Sequence, residues 1–279
     1  MGEMNEHQEG RYLILEPLGE GGSGSIFRTW DLKLGRMVAL KRIKNNPGIF
    51  TSIHGEADIL ASLNHPNIVS FLDYDWDEEG HFVVMELIYG RTLEEWGFEK
   101  PLSVAEFIPV MSQVCKGLAA AHGVGLVHCD LKPGNIMIQS NEDGSFTAKI
   151  LDFGLATMSV SIKIPESLLT QERTALGTPH TMSPEQLRGE PMDTRSDIYS
   201  LGCTFYYALS GRYPHQAEDN LSIAQSHLYS TPQPLQAIRP DLPEPLSQAI
   251  MGMLAYDPDQ RPQGAESARL ILEAAVLNL

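Results

Sequence analysis

The chain has 279 residues, which is enough for one large domain or two modest lobes with a sizeable buried core. Hydrophobic residues make up 42% of it and charged residues 20%, which excludes the disordered and collagen-like classes. It has 36 acidic and 20 basic side chains, so its formal net charge is −16. Nucleic-acid binding depends on cationic contacts to phosphates, and we therefore expect no nucleic-acid partner.

Cysteine usage and apolar runs indicate the compartment. The three cysteines, Cys115, Cys129 and Cys203, lie far apart and form no C-x-x-C pair, as is typical of a reducing compartment. The first ten residues lack the basic and apolar regions of a secretory signal. The apolar run over 198–209 is broken by polar residues and too short to span a bilayer. We expect a cytoplasmic protein with no membrane segment in this chain.

The first part of the chain has the residue pattern of a small β-sheet with one helix. Residues 1–10 are polar and predict a flexible tail. Apolar residues at helical spacing predict one helix over 52–63. A hairpin turn is predicted at Gly35. Strands are predicted over 11–18, 25–30, 36–43, 68–71 and 81–85.

The rest of the chain is predicted to be mostly helical. Ser103 and Glu106 form a capping box before an apolar stripe, and Gly123 is the predicted C-cap of that helix. Residues 136–150 predict a hairpin with its turn at 141–144. Five further helices are predicted over 184–188, 195–210, 221–228, 243–254 and 264–277.

A glycine cluster follows the first predicted strand. Gly19, Gly21 and Gly24 fit the pattern G-x-G-x-x-G, in which glycine lets the backbone approach an anion closely. The same pattern also occurs in dinucleotide-binding folds and in ordinary hairpin turns. A dinucleotide fingerprint needs a helix directly afterwards, and here the strand over 25–30 follows. The sequence therefore favours a glycine-rich lid between two antiparallel strands.

One lysine in the third predicted strand is a candidate functional residue. Lys41 ends a Val-Ala-Leu-Lys run and shares a strand face with Ala39. The ordinary interpretation is an edge-strand lysine in water. A functional lysine needs a carboxylate partner, and Glu56 in the predicted helix is the candidate.

The most informative segment is His-Cys-Asp-Leu-Lys-Pro-Gly-Asn over 128–135. Asp130, Lys132 and Asn135 cannot share one helix face because proline and glycine intervene, so they belong to a loop, where functional polar residues concentrate. Asp152 follows 22 residues after Asp130, in an Asp-Phe-Gly motif. Each acid alone could be a turn residue. Together, two acids and an asparagine at these spacings suit a divalent cation and a phosphate group.

These motifs, in this order, resemble those of the eukaryotic-type protein kinases, and the residues that compose them are similar to those of the bacterial Hanks-type group. Four later segments strengthen the resemblance: 177–179, 183–185, 197–202 and 257–262. It covers residues 11–275 and implies a bilobal α+β fold. We expect a small antiparallel-β N-lobe with one main helix over 11–85, a hinge over 86–90 and a larger, mostly α-helical C-lobe over 91–279. Glu185 and Arg261 are expected to form a buried, structural ion pair.

The resemblance implies a role for each polar residue of the loop. Asp130 would accept the proton of the substrate hydroxyl, and Lys132 would contact the γ-phosphate of ATP. Asn135 and Asp152 would hold Mg²⁺. Lys132 and Thr178, which lies in a Gly-Thr-Pro motif, look like those of serine/threonine kinases. The expected partners are therefore protein substrates with Ser or Thr acceptors.

The resemblance also implies which residues bind the nucleotide. Lys41 would contact the α- and β-phosphates of ATP and pair with Glu56 in the active arrangement. The other expected contacts lie on the glycine-rich strands, around the adenine ring and at the hinge: Leu18, Gly19, Glu20, Gly21, Gly22, Ser23, Gly24, Ser25, Ile26, Ala39, Met85, Glu86, Ile88 and Met137. Met85 would be the gatekeeper.

Cys129 departs from the family pattern, which commonly has arginine directly before the catalytic acid. It could be a redox switch, but a small buried hydrophobe in the arginine's position is the favoured interpretation. In relatives with that arginine, the guanidinium pairs with a phosphate on the activation segment. The candidate phosphate sites here are Thr170 and Thr174. Without the arginine, we expect activity to depend little on phosphorylation of that segment.

Two alternatives to an active protein kinase stay open. A pseudokinase would bind nucleotide or partners without turnover. A small-molecule phosphotransferase of similar fold would share the loop residues but not the later C-lobe motifs. The residues that turnover needs are all present, which favours activity: Lys41, Glu56, Asp130, Asn135 and Asp152.

Overall fold

The computed structural model describes four stretches of the chain: residues 10–21, 24–44, 63–153 and 179–277. Contacts between them define two compact units. The described residues of the first unit are 10–21, 24–44 and 70–88, and those of the second are 63–69, 89–153 and 179–277. Nearly all of the helix predicted over 52–63 lies outside the described residues, as does most of the predicted tail. The lobe and hinge boundaries expected from the sequence stay a prediction.

The first unit is a five-stranded antiparallel sheet in the order β1-β2-β3-β5-β4. Its strands are β1 (Tyr12–Gly21), β2 (Gly24–Asp31), β3 (Arg36–Ile43), β4 (Phe71–Asp77) and β5 (Gly80–Glu86). Gly35 turns the chain between β2 and β3 with a φ of +62°, which glycine adopts at no steric cost. The strands predicted over 11–43 and 81–85 are confirmed. The strand predicted over 68–71 is wrong, because Ile68 forms only an isolated bridge and the strand begins at Phe71.

The core of the first unit lies between β3 and β5. Val38 and Leu40 on β3 and Phe82 and Val84 on β5 are buried together. Leu40 and Val84 lie directly opposite each other in the sheet. Burying a side chain of this size stabilises the fold by about 1.5–3 kcal/mol. This contact keeps β3 and β5 adjacent.

Arg11 anchors the beginning of the sheet. Its guanidinium donates to both carboxylate oxygens of Asp31, at 3.0 and 2.8 Å, and also to Asp73. Asp31 is 1% exposed and accepts the N–H groups of Lys33 and Leu34 as well. The hydrogen bonds from Arg11 hold the pKa of the Asp31 carboxyl below its ordinary value. The buried charge is therefore well compensated.

The second unit is mostly helical and contains a small sheet in the order β6-β7-β8. Its strands are β6 (Arg91–Thr92), β7 (Ile136–Ser140) and β8 (Phe146–Ile150). Its helices are α1 (Leu93–Glu99), α2 (Val104–Gly123), α3 (Pro184–Leu187), α4 (Thr194–Ser210), α5 (Asn220–Tyr229), α6 (Leu235–Ile238), α7 (Glu244–Met253) and α8 (Ala265–Ala274). The hairpin over 136–150 and all the predicted helices of this unit are confirmed, with ends that shift by a few residues. The sequence pattern does not predict α1 or α6.

The two ends of helix α2 are capped in different ways. Its N-terminus has the predicted capping box: Glu106 N donates to Ser103 Oγ (3.3 Å) and Ser103 N donates to Glu106 Oε2 (2.9 Å). Its predicted C-cap is wrong by one residue, since Gly123 is still helical and Val124 is the cap. The physical reason is that the left-handed turn occurs at Gly125, whose φ is +80°.

Helix α2 is also long and apolar enough to cross a membrane by length and composition alone. Core helices of soluble proteins meet the same criteria. In the structure α2 packs against α8 and β8. Its buried residues include Phe107, Val110, Met111, Val114, Cys115, Leu118 and Ala121. Packing on protein therefore accounts for its apolar composition.

Helix α4 lies at the centre of the second unit. Every residue from Ser196 to Ser210 is buried. Phe205 packs edge-on against Phe107 of α2, with ring centroids 5.1 Å apart. Gly211 ends the helix in the left-handed conformation, with a φ of +70°. Because it is buried almost throughout, α4 is the rigid element on which the surrounding loops are fixed.

Two buried histidines lie beside α4. The hydroxyl of Tyr199 hydrogen-bonds His227 Nδ1 (2.7 Å), and the rings of His215 and His227 lie 4.3 Å apart. Burial lowers the pKa of His215 to about 4. Burial, followed by the neighbouring His215 and His180, lowers the pKa of His227 to about 3. Both rings are therefore neutral in the folded protein at pH 7.

We expect this unit to lose stability as the pH falls from about 6.5 to 5. The unfolded chain protonates each histidine near its ordinary pKa of 6.5, whereas the folded chain does so only near 4 or 3. Each histidine then costs up to about 2 kcal/mol by pH 5. Urea unfolding at pH 7 and pH 5 measures this loss, which His227→Gln should reduce. Equal losses in the wild type and the variant would contradict the assignment.

Candidate active site

The glycine-rich segment closes the hairpin between β1 and β2. Gly19 pairs with Ile26, and Gly21 pairs with Gly24. A side chain at Gly24 would meet Arg42 O at 1.8 Å, so only glycine lets β3 lie this close. A strand and not a helix follows the glycines. This confirms the predicted hairpin over the dinucleotide-binding alternative.

Lys41 is a buried cation on an internal strand. It is 1% exposed, and β3 pairs with β2 on one side and β5 on the other. The interpretation as a solvated edge-strand lysine is therefore wrong. Ala39, two residues earlier, lies directly opposite Met85 on β5, and both are buried. The first unit thus places a lysine beside small and apolar side chains. Such a surface suits a ligand that combines an aromatic ring with phosphate groups.

The end of β5 is fixed by a double contact. Ser70 N donates to Glu86 Oε1 (2.7 Å), and Glu86 N donates to Ser70 O (3.0 Å). Met85 precedes this contact and Ile88 follows it. The family resemblance implies a nucleotide contact for Glu86, through its hinge backbone. The structure adds a role for its side chain, which ties the start of β4 to the end of β5.

In the second unit, Asp130, Lys132 and Asn135 form one hydrogen-bonded group. Lys132 Nζ donates to Asp130 Oδ2 (2.7 Å). Asn135 Nδ2 donates to Asp130 O (2.8 Å) and to Asp130 Oδ2 (3.2 Å). The Asp130 side chain is nevertheless 44% exposed, so its carboxylate is fixed in place and still accessible. A carboxylate held in this way can accept a hydrogen bond or a proton from an incoming hydroxyl group.

Asp197, at the beginning of α4, fixes the backbone just before Asp130. Its side chain is fully buried. Its Oδ2 accepts the N–H of His128 (2.7 Å), and its Oδ1 accepts the N–H of Cys129 (2.9 Å). Nε2 of His122 also hydrogen-bonds Oδ2, at 2.9 Å. One buried carboxylate therefore holds two successive peptide N–H groups of the loop.

The segment that carries Asp152 is joined to the same loop. Leu151 N donates to Asn135 O (2.8 Å), and His128 Nε2 hydrogen-bonds Leu151 O (2.8 Å). The ring of Phe153 packs edge-on against His128, with centroids 4.7 Å apart. Asp152 lies between these two anchored residues with a φ of +56°, which is uncommon for a residue with a Cβ. Strained backbone of this kind clusters at functional sites.

Asn135 and Asp152 are suited to a hard divalent cation. The amide nitrogen of Asn135 is used on Asp130, so the amide oxygen is the atom left for a ligand role. Mg²⁺ prefers oxygen ligands and takes one or two protein side chains together with waters and phosphate oxygens. An amide oxygen and a carboxylate on two adjoining segments match that donor set.

The predicted ion pair between Glu185 and Arg261 is confirmed. Arg261 NH1 donates to Glu185 Oε1 (2.7 Å) and NH2 to Oε2 (3.0 Å), and Ser196 Oγ donates to Oε1 (2.7 Å). Burial raises the pKa of the Glu185 carboxyl, but the hydrogen bonds from Arg261 and Ser196 outweigh it and lower the net pKa. Removing one partner of such a pair typically costs about 3–5 kcal/mol. The pair anchors α3 to the connection between α7 and α8.

Comparison with known proteins identifies the family. The protein kinase domain family matches residues 12–273. This chain belongs to that family. It is 35% identical over 272 residues to the serine/threonine-protein kinase pkn3 of Myxococcus xanthus, covering 95% of this chain and 50% of pkn3. It is 34% identical over 271 residues to the serine/threonine-protein kinase PrkC of Bacillus subtilis, covering 95% and 40%. The chain thus spans half or less of the length of these relatives.

Solved kinase structures share the fold. Residues 1–466 of Rad53 in complex with AMP-PNP match with a TM-score of 0.76 at 24% identity, covering 94% of this chain and 65% of that one. A double mutant of the Mycobacterium tuberculosis PknI kinase domain matches with a TM-score of 0.77 at 21% identity, covering 95% of both chains. The predicted α+β class, with an antiparallel-β lobe and a helical lobe, is confirmed.

Each unit of the kinase domain holds its own share of the predicted site residues, whose individual roles stay predictions. The first unit holds those on β1, β2, β3 and β5 and just after β5: Leu18, Gly19, Glu20, Gly21, Gly24, Ser25, Ile26, Ala39, Lys41, Met85, Glu86 and Ile88. The second holds those on the loop over 128–135 (the predicted catalytic loop), on β7 and on the segment after β8: Asp130, Lys132, Asn135, Met137 and Asp152. Three lie outside the described residues: Gly22, Ser23 and Glu56.

The role of Asp197 is not apparent from the kinase motifs alone. The sequence shows Asp197 as the first residue of a C-lobe signature and says nothing of its partners. One sequence feature does indicate that Asp197 has hydrogen-bond donors around it. It is a single acid at the beginning of an apolar helix, and burying such an acid without donors is costly. The sequence does not show that those donors are backbone groups of His128 and Cys129.

We expect Asp197→Asn to lower the kcat of the kinase about 10- to 100-fold. The amide NH₂ would face one of the two backbone N–H groups, which leaves buried donors unsatisfied at a cost of about 1–3 kcal/mol. Steady-state kinetics and thermal unfolding measure both effects. Asp193→Asn is the matched control, because Asp193 caps the same helix from an exposed position. An unchanged kcat for Asp197→Asn would contradict its anchoring role.

Proposed function

We propose that this chain is a protein serine/threonine kinase that transfers the γ-phosphate of ATP to Ser or Thr hydroxyl groups of proteins. The observation that carries the proposal is the hydrogen-bonded group of Asp130, Lys132 and Asn135 in a loop anchored on α4. Membership of the protein kinase family and the names of the relatives support it.

The loop residues supply the chemistry at the acceptor. Asp130 would orient the substrate hydroxyl and take its proton as the bond to phosphorus forms. Lys132, which is held on Asp130, would neutralise charge on the transferred phosphoryl group. Asn135 fixes the Asp130 carboxylate from the other side. Phosphoryl transfer needs positioning and charge neutralisation more than covalent chemistry, and these three side chains provide both.

The first unit would bind the nucleotide. Lys41 would contact the α- and β-phosphates, and backbone N–H groups between Gly19 and Ile26 would approach the phosphates closely. Ala39 and Met85 would border the adenine ring, and the backbone at Glu86 and Ile88 would hydrogen-bond its edge. The buried environment of Lys41 supports this role, because a desolvated cation attracts phosphate more strongly than one in water.

Asn135 and Asp152 would hold Mg²⁺, which supplies positive charge to the phosphates when it is bound.

We place the protein in the cytoplasm, where ATP and Mg²⁺ are abundant. All three cysteines are buried and none forms a disulfide, which agrees with a reducing compartment. The pseudokinase alternative has no specific observation in its favour.

We expect Asp130→Asn to abolish phosphotransfer while ATP binding persists, because the carboxylate meets the hydroxyl and not the nucleotide. Loss of a general base typically costs about 10²–10⁴-fold in rate. Lys41→Ala should instead weaken ATP binding as well as turnover. Transfer of labelled phosphate to a Ser/Thr peptide and nucleotide titration distinguish these two effects.

The control for Lys41→Ala is Lys33→Ala, which removes an exposed lysine from the turn before β3. We expect this control to bind ATP and transfer phosphate like the wild type. Unchanged turnover in Asp130→Asn, or complete loss of its ATP binding, would overturn the role assigned to Asp130.

We also expect phosphorylation of the activation segment to change the rate less than tenfold. An ordering switch between two sites is typically worth about 1–3 kcal/mol, or 5- to 150-fold. Cys129 is buried and carries no guanidinium to pair with a phosphate. The candidate sites Thr170 and Thr174 lie outside the described residues. Peptide phosphorylation by untreated enzyme, phosphatase-treated enzyme and the double variant Thr170→Ala/Thr174→Ala measures the effect. A larger drop would show that another basic residue takes the arginine's place.

A further inference from the structure

The peptide group between Cys129 and Asp130 has a partner on both of its polar atoms. Its oxygen, Cys129 O, accepts a hydrogen bond from Gln186 Nε2 (2.9 Å). Its N–H, which belongs to Asp130, donates to His128 Nδ1 (3.2 Å). A peptide group is planar, so holding both atoms fixes the orientation of the plane. The direction in which the Asp130 side chain leaves the backbone is fixed with it.

This peptide group follows a residue in an unfavourable conformation. Cys129 has a φ of +63°, in the left-handed region that residues with a Cβ rarely occupy. Such a conformation persists only where the surroundings determine it. Asp197 holds the N–H on one side of Cys129, and Gln186 holds the carbonyl on the other. The two contacts together define the backbone immediately before Asp130.

Gln186 is itself presented by a firmly anchored helix. Ser183 caps α3, and its Oγ accepts the N–H of Gln186 (3.3 Å). The preceding residue, Glu185, is held by Arg261 and Ser196. Gln186 is half-buried, and its amide reaches the loop from this fixed base.

We propose that Gln186 is a positioning residue that orients Asp130 through the Cys129 carbonyl, and that it couples the segment over 179–187 to the catalytic loop through a bond between two uncharged groups. The proposal rests on the proposed function, in which Asp130 meets the substrate hydroxyl. It assigns Gln186 no contact with substrate or nucleotide. Its effect should therefore appear in turnover and leave ATP affinity unchanged.

Two variants of Gln186 test the hydrogen bond with little change of volume. Gln186→Met keeps the shape and removes the donor, and we expect kcat to fall about tenfold. Gln186→Lys restores an N–H donor with sufficient reach, and we expect it to recover at least half of the wild-type kcat. The KM for ATP should stay within about twofold in both. Gln248→Met, on the exposed face of α7, is the matched control and should behave like the wild type.

A third variant gives a readout that a purely structural role would not produce. In Gln186→Glu the introduced carboxylate cannot donate to Cys129 O when it is ionised, but the protonated acid can. The ratio of variant to wild-type kcat should therefore rise as the pH is lowered from 8 to 5.5. The same ratio for Gln186→Met should stay flat over that range.

The outcomes separate this proposal from the proposed function. A wild-type protein that transfers no phosphate would overturn the proposed function itself. An active wild type with equal kcat in Gln186→Met would overturn the positioning role. Equal losses in Gln186→Met and Gln186→Lys, or a loss that only follows a lower melting temperature, would also overturn it. Rescue by lysine and a pH-dependent ratio for Gln186→Glu would support it.

Discussion

The buried carboxylate of Asp197 is the constraint on which the catalytic loop depends. A carboxylate without water is costly unless donors surround it, and here the donors are His128 N, Cys129 N and the ring of His122. The loop cannot move away without leaving that charge unsatisfied. Because Asp197 belongs to α4, which is buried almost throughout, the loop takes on the rigidity of the core. The exposed carboxylate of Asp130 is thus held in place by the buried carboxylate of Asp197 and the backbone that it binds.

His128 extends this constraint to the segment around Asp152, which is expected to hold the cation. Its ring contacts three parts of the unit at once: the N–H of Asp130, the carbonyl of Leu151 and the ring of Phe153. A displacement of the segment around Asp152 would therefore change the hydrogen bonding of the catalytic loop. One imidazole keeps the residues expected to hold the cation and the residue expected to take the proton in a common frame, which suits a reaction that depends on positioning.

Much of the fold can be predicted from the sequence where the signal is local. The capping box at Ser103 and Glu106 and the hairpin turn at Gly35 each depend on a few adjacent residues. The strand over Phe71–Asp77 is not predicted because three aspartates, which are depleted in strands, lie within it. The identities of the site residues come from the family resemblance and not from periodicity. Contacts that join side chains to distant backbone, such as Gln186 to Cys129, leave no pattern in the sequence.

The cysteine at position 129 leads us to expect a different influence of the activation segment on catalysis. An arginine there would offer a charged side chain, whose pairing with phosphate responds to modification and to salt. In this chain the described link between α3 and the loop uses the backbone carbonyl of residue 129 and the neutral amide of Gln186. A carbonyl is present whatever the side chain, so the link does not depend on charge at this position. We therefore expect the geometry of Asp130 to be set by folding of the second unit, and control by phosphorylation would need a separate group to act on it.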